Sequence, residues 1–535
     1  MTYRTICPTM WVERHLMHFS EKERMRKDMK KIVAILLLVV MLFSFSGCGE
    51  SYRRKLGNNA VEMVQSMEKI PDDIKSGCSA EKYTMDITLD DAKNKISGTV
   101  RVDIVNNTGN KLDKLCFNLF CASISSDSKI SAAENSETKS KYSVEAGNST
   151  STFYVNLGKD GIEKGGKLSV NLKFTTMIPE INDRFGYYQD ENGKLYNLSF
   201  CFPQIAFMEN GEWIEEEYGE GLGEVRYSEM SDWFITFKTP EKYELITTGK
   251  IVSEDDGFVI EAENVREIAM AVCNFAEIIT EESEGITYNL MMPEYEGYKA
   301  EWIKDYAEVL MTTAIESVEI YTEAFGEYIY DELDIVPVFY GDGVGGMEYP
   351  GLVQVSMVGL SGESDEGIDC CDDGIVSTCH EVGHQWFYCA VGNNEGREPW
   401  LDESFTSYIE TYFCVNAKES IKKGEKFNMK YGGTDELSDM SSFNDVAMSD
   451  FYINFPFNAY EGDDYNYVYS DGAEFLRALE LAMGEKAFIK MLSDWYNENI
   501  NEIVTGAEFI SFVLEYDSSE EVVDIINKFI SEEQI

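Results

Sequence analysis

The stretch from His380 to Glu403, HEVGHQWFYCAVGNNEGREPWLDE, limits what this 535-residue chain can build more than any other segment. Side chains four apart on a helix share one face, so His380 and His384 can aim two imidazole nitrogens at a single point. Glu381 falls on the flank of that face, where a carboxylate reaches a metal-bound water without ligating the metal; that is the placement of a general base. A catalytic zinc takes three protein ligands and leaves one position for water. Glu403, nineteen residues after His384, is the candidate third ligand, brought back to the metal by a loop and a second helix. The chain has four histidines, and His15 and His18 precede a segment that reads as removed. Two randomly placed histidines would fall four apart with a glutamate second at odds of roughly one in a few thousand, which makes unrelated core or surface histidines the weaker reading.

The N-terminus has the three-part layout of a secretory signal. Arg24, Arg26, Lys27, Lys30 and Lys31 are basic, Ile32 to Phe45 is almost wholly apolar, and Ser46-Gly47-Cys48 follows. The apolar run is short for a spanning helix. FSGC resembles a bacterial lipobox, with Phe45 where leucine is commoner. The expectation is that residues 1–47 are processed, that Cys48 carries a lipid, and that the protein is exported and held at the outer face of the cell membrane. A retained N-terminal anchor is the alternative. A natural signal would begin at Met25 or Met29, so translation is expected to start downstream of Met1.

Charge narrows the partners. The chain carries a formal net charge of −52, and residues 1–47 hold eight basic and four acidic residues, which leaves about −56 on the remainder. Such a surface repels nucleic acid and does not adhere to an anionic membrane, so attachment would rest on the lipid. It favours cationic ligands, including peptides with free amino termini. With 44% hydrophobic residues the chain can bury large cores, and its length suggests two or three domains. The ten cysteines after Cys48 contain no Cys-x-x-Cys pair and read mostly as buried thiols.

From 48 to 81 the sequence is polar and reads as a tether. A period of two follows: Tyr83, Met85, Ile87 and Leu89, then Val100, Val102 and Ile104, then Leu168, Val170, Leu172 and Phe174, then Trp233, Ile235 and Phe237. This predicts a half-buried antiparallel β domain over 82–280, in which the Ser- and Thr-rich stretch 123–152 forms long loops. The remainder, 281–535, reads as a second domain. Trp302, Tyr306, Val309, Leu310, Ala314, Val318, Tyr321 and Phe325 fall on one helical stripe that Gly326 is placed to end. A short strand from Leu333 to Tyr340 follows, with Pro337 suggesting an edge. The glycines between Gly341 and Pro350 let another backbone approach, either as a plain loop or beside an extended peptide. Residues 432–464 read as a long loop, and helical periodicity resumes around Tyr469.

Three of these segments together resemble the zinc aminopeptidases of the aminopeptidase N family, peptidase family M1. These gluzincins carry H-E-x-x-H, eighteen residues, then E, matched by His380, Glu381, His384 and Glu403. The family's G-x-M-E-N appears as Gly345-Gly346-Met347-Glu348-Tyr349, and its Y-x-K-G-A as Tyr469-Ser470-Asp471-Gly472-Ala473. The resemblance spans about Tyr83 to the C-terminus. It implies an α+β architecture: an N-terminal antiparallel β-sandwich-like domain, then a thermolysin-like, mainly α-helical zinc peptidase domain with a small edge sheet. It also implies one zinc ion per chain on His380, His384 and Glu403, with the activated water deprotonated by Glu381. Tyr469 would donate to the oxyanion, and Glu348, with Gly345, Gly346 and Met347, would hold a substrate's free α-amine. Glu410, two turns beyond Glu403, is the candidate partner for a ligand histidine, or else an exposed helix glutamate.

The chain departs from the family in several places. Tyr349 replaces the asparagine, Asp471 replaces the lysine after the tyrosine, and Tyr465 and Tyr467 compete for the role of Tyr469. No second amine-binding residue is evident before Phe202-Pro203. The family's large C-terminal helical domain has no counterpart, so a more open cleft is expected. The function expected is release of the N-terminal residue from peptides. Two alternatives stand beside it: an endopeptidase or dipeptide-releasing peptidase on the same zinc site, and a non-catalytic peptide-binding lipoprotein.

Overall fold

The computed structural model describes residues 53–55, 57–67, 75–215, 227–254, 256–340, 344–357, 371–417, 451–460 and 462–535. The signal segment, Cys48 and most of the 432–464 loop lie outside them. Alternating sequence builds the first half. In the strand Cys78–Asp90, Tyr83, Met85, Ile87 and Leu89 point into the core, opposite Val102, Val100, Gly98 and Ile96 of the antiparallel partner Lys95–Asn106. These two strands lie inside an eleven-stranded sheet. Its one parallel pairing joins Cys78–Asp90 to Ser231–Lys238, where Tyr83 stacks on Trp233 with ring centroids 3.9 Å apart. A four-stranded sheet, Glu244–Thr247, Met270–Cys273, Lys194–Leu198 and Phe185–Gln189, packs into the same core.

Two expectations for this half change. The stretch 123–152 holds the strands Lys129–Asn135 and Lys141–Ala146 rather than long loops. Strand Lys141–Ala146 buries only Tyr142, so it carries no apolar alternation to read; pairing with its neighbours supplies its order. Residues 54, 55 and 57–67, read as tether, instead pack against the C-terminal helices. The helix Ala60–Ser66 buries Ala60, Val61 and Val64, and Asn58 donates to the carbonyls of Asn527 and Ile530 at 2.7 Å each.

The second half is organised around a five-stranded sheet in the order Ala276–Ser283, Ile286–Pro293, Glu332–Val338, Leu352–Ser356, Gly346–Tyr349. Strand Ala276–Ser283 runs across residue 280 and pairs only into this sheet. Pro337 lies in a central strand, not an edge. It is tolerated because pairing with Ile286–Pro293 stops at Ile335, so the flank that would need its missing N–H is already free of the ladder. The edges are Ala276–Ser283 and Gly346–Tyr349.

Against this sheet lies the helix Ala300–Ala324, which buries the predicted stripe from Tyr306 to Tyr321 and stops before Gly326, at φ 143°. Tyr306 donates to the Ser356 carbonyl at 3.1 Å and Tyr321 to the Cys379 carbonyl at 2.9 Å, which fixes the metal-ligand helix Cys371–Gly383 on the sheet. The helices Trp400–Asn416, Asn466–Met483, Glu485–Asn499, Gly506–Tyr516 and Glu520–Phe529 complete the layer. Cys78, Cys116, Cys121, Cys201, Cys273, Cys379, Cys389 and Cys414 are buried thiols outside any disulfide.

Arg266 ties the β half to the loop after the metal helix. It is 3% exposed, and its guanidinium donates to the carbonyls of Tyr388 (3.1 Å), Ala390 (3.4 Å), Ser228 (3.1 Å) and Glu502 (2.6 Å). Gly392 is required beside it, since a Cβ there would stand 2.1 Å from Arg266 Cζ. Arg266→Met keeps the stem and strands four carbonyls, so it should lower unfolding free energy by about 3 kcal/mol or more in denaturant titrations. A change below about 1 kcal/mol would contradict this role.

Candidate active site

The metal-ligand helix runs from Cys371 to Gly383, and His384 continues its last turn, with the His384 N–H 3.3 Å from the His380 carbonyl. Both imidazoles therefore face one point. The helix Trp400–Asn416 brings Glu403 to the same place. Nε2 of His380, Nε2 of His384 and Oε2 of Glu403 form a triangle with sides of 3.2, 3.3 and 3.4 Å. Zinc binds nitrogen and oxygen at about 2.0–2.2 Å, which sets two ligands of a tetrahedral ion about 3.3–3.6 Å apart. The triangle is one face of such a tetrahedron, so the residues present fit a zinc ion.

The other ring nitrogens are held from behind. His380 Nδ1 lies 2.9 Å from Glu410 Oε2. His384 Nδ1 faces Asp402 Oδ1 at 2.5 Å, Thr406 Oγ1 at 3.0 Å and the Phe387 carbonyl at 3.3 Å. A carboxylate at each Nδ1 keeps the proton there and leaves the Nε2 lone pairs for the metal. Burial disfavours a charged His380, but its bonds to Glu403 and Glu410 outweigh that and push it up to about 10. Burial likewise opposes the Glu403 carboxylate, yet the two histidines hold it well below the usual range. The pocket therefore stabilises positive charge at its centre.

Glu381 points into the cleft beside the triangle and is 5% exposed; burial pushes it up to about 7, against the pull of the two histidines. A carboxylate of that basicity suits proton transfer near neutrality. Gly346 makes room for it, because a Cβ there would sit 2.4 Å from Glu381 Oε1 and 2.5 Å from the Gln354 carbonyl. The Tyr469 hydroxyl donates to Glu403 Oε1 at 2.5 Å. Tyr465 lies edge-on to Tyr469, with centroids 5.7 Å apart, and Tyr467 packs on Phe451, so of the three tyrosines Tyr469 is the one on a metal ligand.

Glu348 lies on the edge strand, 5% exposed, and its carboxylate shares a cluster with Glu381 and His384 in which the ligand atoms are all within 4.8 Å of one another. Gln385, next to His384, pins that strand by donating to the Tyr349 carbonyl at 3.1 Å and accepting from the Gly351 N–H at 2.8 Å. The cleft, about 290 Å³, is lined by Gly345, Gly346, Met347 and Glu348, by the metal triad, and by Glu381, Glu410 and Tyr469. The structure thus brings together every site residue read from the sequence except Cys48, which lies outside the described residues.

Several residues carry no motif to reveal them. Asp402 and Thr406 flank Glu403 on its helix and touch His384, and Gln385 follows His384; only adjacency to a ligand marks them. Arg184 reaches the cleft wall from the β half. A guanidinium cannot receive an ammonium, so this residue does not supply the second amine contact.

Residues 309–530 match the peptidase family M1 domain. Aminopeptidase 2 of Saccharomyces cerevisiae is 29% identical over 189 residues, covering 34% of this chain and 19% of that protein. Alanine/arginine aminopeptidase of the same yeast is 26% identical over 200 residues, covering 36% and 22%. The matches thus take in about a fifth of those relatives' length. A crystal structure of an M1 zinc metallopeptidase E323A mutant from Deinococcus radiodurans superposes with a TM-score of 0.57 over 86% of this chain and 96% of that one, at 14% identity, which shows a shared fold. Over residues 309–530 the chain thus resembles the peptidase family M1 domain, and it shares the fold of an M1 zinc metallopeptidase.

If Asp402 and Glu410 orient the ligand histidines, Asp402→Asn and Glu410→Gln should each weaken zinc binding about 10- to 100-fold in competition with a chromophoric chelator. Wild-type affinity in both would remove them from that role.

Proposed function

We propose that this chain is an aminopeptidase that releases the N-terminal residue from peptides bearing a free amine. The observation that carries the reading is the position of Glu348. Its buried carboxylate sits with Glu381 and His384, on a strand that, among the described residues, pairs on one side only. An ammonium paired with Glu348 places the first peptide bond at the metal triangle, so the cut falls after one residue. A strand edge adds backbone hydrogen bonds to the substrate without reading its side chains.

A zinc ion held by His380, His384 and Glu403 would supply Lewis acidity to water and to the scissile carbonyl. The chain's own residues do the rest. Glu381 accepts the proton of the attacking water and delivers it to the leaving amine. Tyr469 turns its hydroxyl from Glu403 toward the developing oxyanion, a contact of the kind whose removal costs about 10² to 10³ in rate. Asp402 and Glu410 hold the two imidazoles in register throughout.

The yeast relatives, named as aminopeptidases, support the same reaction class. Among the described residues no helix is long and apolar enough to cross a membrane. We propose attachment to the outer face of the cell membrane through a lipid on Cys48, supported by the basic stretch, apolar run and FSGC over residues 24–48.

The test is hydrolysis of one short peptide, its amino terminus free or acetylated, with and without a chelator. Chelator-sensitive release of the first residue from the free form alone is expected. Cleavage of both forms would replace the reading with an endopeptidase, and zinc-loaded protein that cuts neither would replace it with a peptide-binding protein. In the same assay Glu381→Ala should abolish turnover with zinc retained, while Glu403→Ala should lose the metal. Glu348→Ala should raise KM for free-amine peptides; an unchanged kcat and KM would exclude it from the site.

A further inference from the structure

The segment just ahead of the β half has no part in the chemistry described so far, yet it reaches the helix that carries Tyr469. Arg54 donates from Nε to the Phe451 carbonyl at 2.9 Å and lies over the Phe529 ring, 4.6 Å from its centroid. Its terminal nitrogen is 3.7 Å from Asp471 Oδ2, in a pair whose side chains are 16% and 4% exposed. Lys55 donates its N–H to the Tyr452 hydroxyl at 2.9 Å, and Asn58 accepts the Glu532 N–H at 2.9 Å while donating to two carbonyls at the end of the last helix. Residues 54, 55 and 57–64 form a strap bonded to the C-terminal elements at Arg54, Lys55, Asn58, Asn59 and Val61.

Asp471 stands two residues after Tyr469, which on a helix turns it about 200° away. Tyr469 therefore faces Glu403, and Asp471 faces the strap. The same turn is gripped on a third side. Gly472 packs so closely on Ser404 that a Cβ would come 1.9 Å from Ser404 Oγ, and that hydroxyl donates to the Val468 carbonyl at 2.6 Å. Ser404 is the residue after the metal ligand Glu403. The first turns of helix Asn466–Met483 are thus held between the ligand helix on one side and Arg54 on the other. Asp471 is a buried carboxylate on this helix, and Arg54 of the strap brings a cation to it.

We infer that Arg54 is a positioning residue for Tyr469: through Asp471 it sets the depth and rotation of the helix, and so the reach of the Tyr469 hydroxyl toward the substrate oxyanion. The inference rests on the reading of Tyr469 as that donor. Small displacements of such a group have large effects on rate, because the contact is made only in the transition state.

The experiment is a double-mutant cycle on the full chain, with kcat, KM, zinc content and thermal midpoint measured for Tyr469→Phe, Arg54→Ala, Arg54→Lys and Arg54→Ala/Tyr469→Phe. Tyr469→Phe should lose about 10² in kcat. Arg54→Ala should lower kcat roughly tenfold with KM within about twofold and zinc retained, and Arg54→Lys should recover part of the loss. The double variant should match Tyr469→Phe alone, since a displaced phenylalanine has no hydroxyl to misplace. A purely structural strap would lower the thermal midpoint and multiply the two effects on kcat, which overturns the inference, as does wild-type kcat in Arg54→Ala. Wild-type kcat in Tyr469→Phe would overturn the oxyanion role and the inference with it. Should Arg54→Ala not fold, Asp471→Asn breaks the same pair without adding a cavity, and the same non-additivity with Tyr469→Phe decides.

Discussion

Five carboxylates converge on two imidazoles in this structure, and the rest of the catalytic half is arranged to make that convergence tolerable. Glu403 and Glu381 lie between and beside the histidines, Asp402 and Glu410 behind them, and Glu348 across the cleft. In low-dielectric surroundings like charges this close repel strongly, and burial alone would drive the acids to protonate. The shifts have that character: Asp402 is pushed up to about 6 and Glu381 to about 7 by burial, while the carboxylate that directly contacts both histidines is held low. A divalent cation held by His380, His384 and Glu403 would answer this excess of negative charge, and the two Nε2 atoms face the point where it would bind.

Close approach of backbones makes the convergence possible. Gly346 lets the edge strand meet the Glu381 carboxylate, Gly472 lets the Tyr469 helix meet Ser404, and Gly392 leaves room for the guanidinium of Arg266. Each is a place where a methyl group would push a functional element out of register. The loop after His384 is held equally tightly. Tyr388 adopts φ 127°, an unusual value for a residue with a side chain, and is kept there by its hydroxyl bond to Glu267 and by Arg266 on its carbonyl. Because Arg266 and Glu267 belong to the β half, that half acts as a brace for the metal site as well as a wall of the cleft.

How much of this could be read in advance varied with the kind of signal. Tyr83, Met85, Ile87 and Leu89 announce their strand because one face is buried and the other is wet, and the stripe from Tyr306 to Tyr321 announces its helix for the same reason. Lys141–Ala146 gave no such sign, since its order comes from hydrogen bonds to neighbouring strands and not from a buried face of its own. Pro337 misled because a proline marks an edge only where the ladder needs its N–H, and here the ladder has already ended. Residues 54, 55 and 57–67 looked like a tether because most of their contacts are polar and lie more than 390 residues away in sequence.

The sequence alone determined that His380 and His384 share a helix face with Glu381 on its flank, and the order of the motifs, because helical spacing and donor chemistry are local properties that survive without knowledge of the fold. Tertiary structure decided which groups stand behind those residues. That Asp402 rather than a distant acid backs His384, that Gln385 fixes the strand bearing Glu348, and that Arg54 meets Asp471, more than 400 residues away in sequence, are facts of packing. Contacts between elements far apart in sequence leave no periodicity or spacing to read, and form only when the buried faces have already brought the elements together.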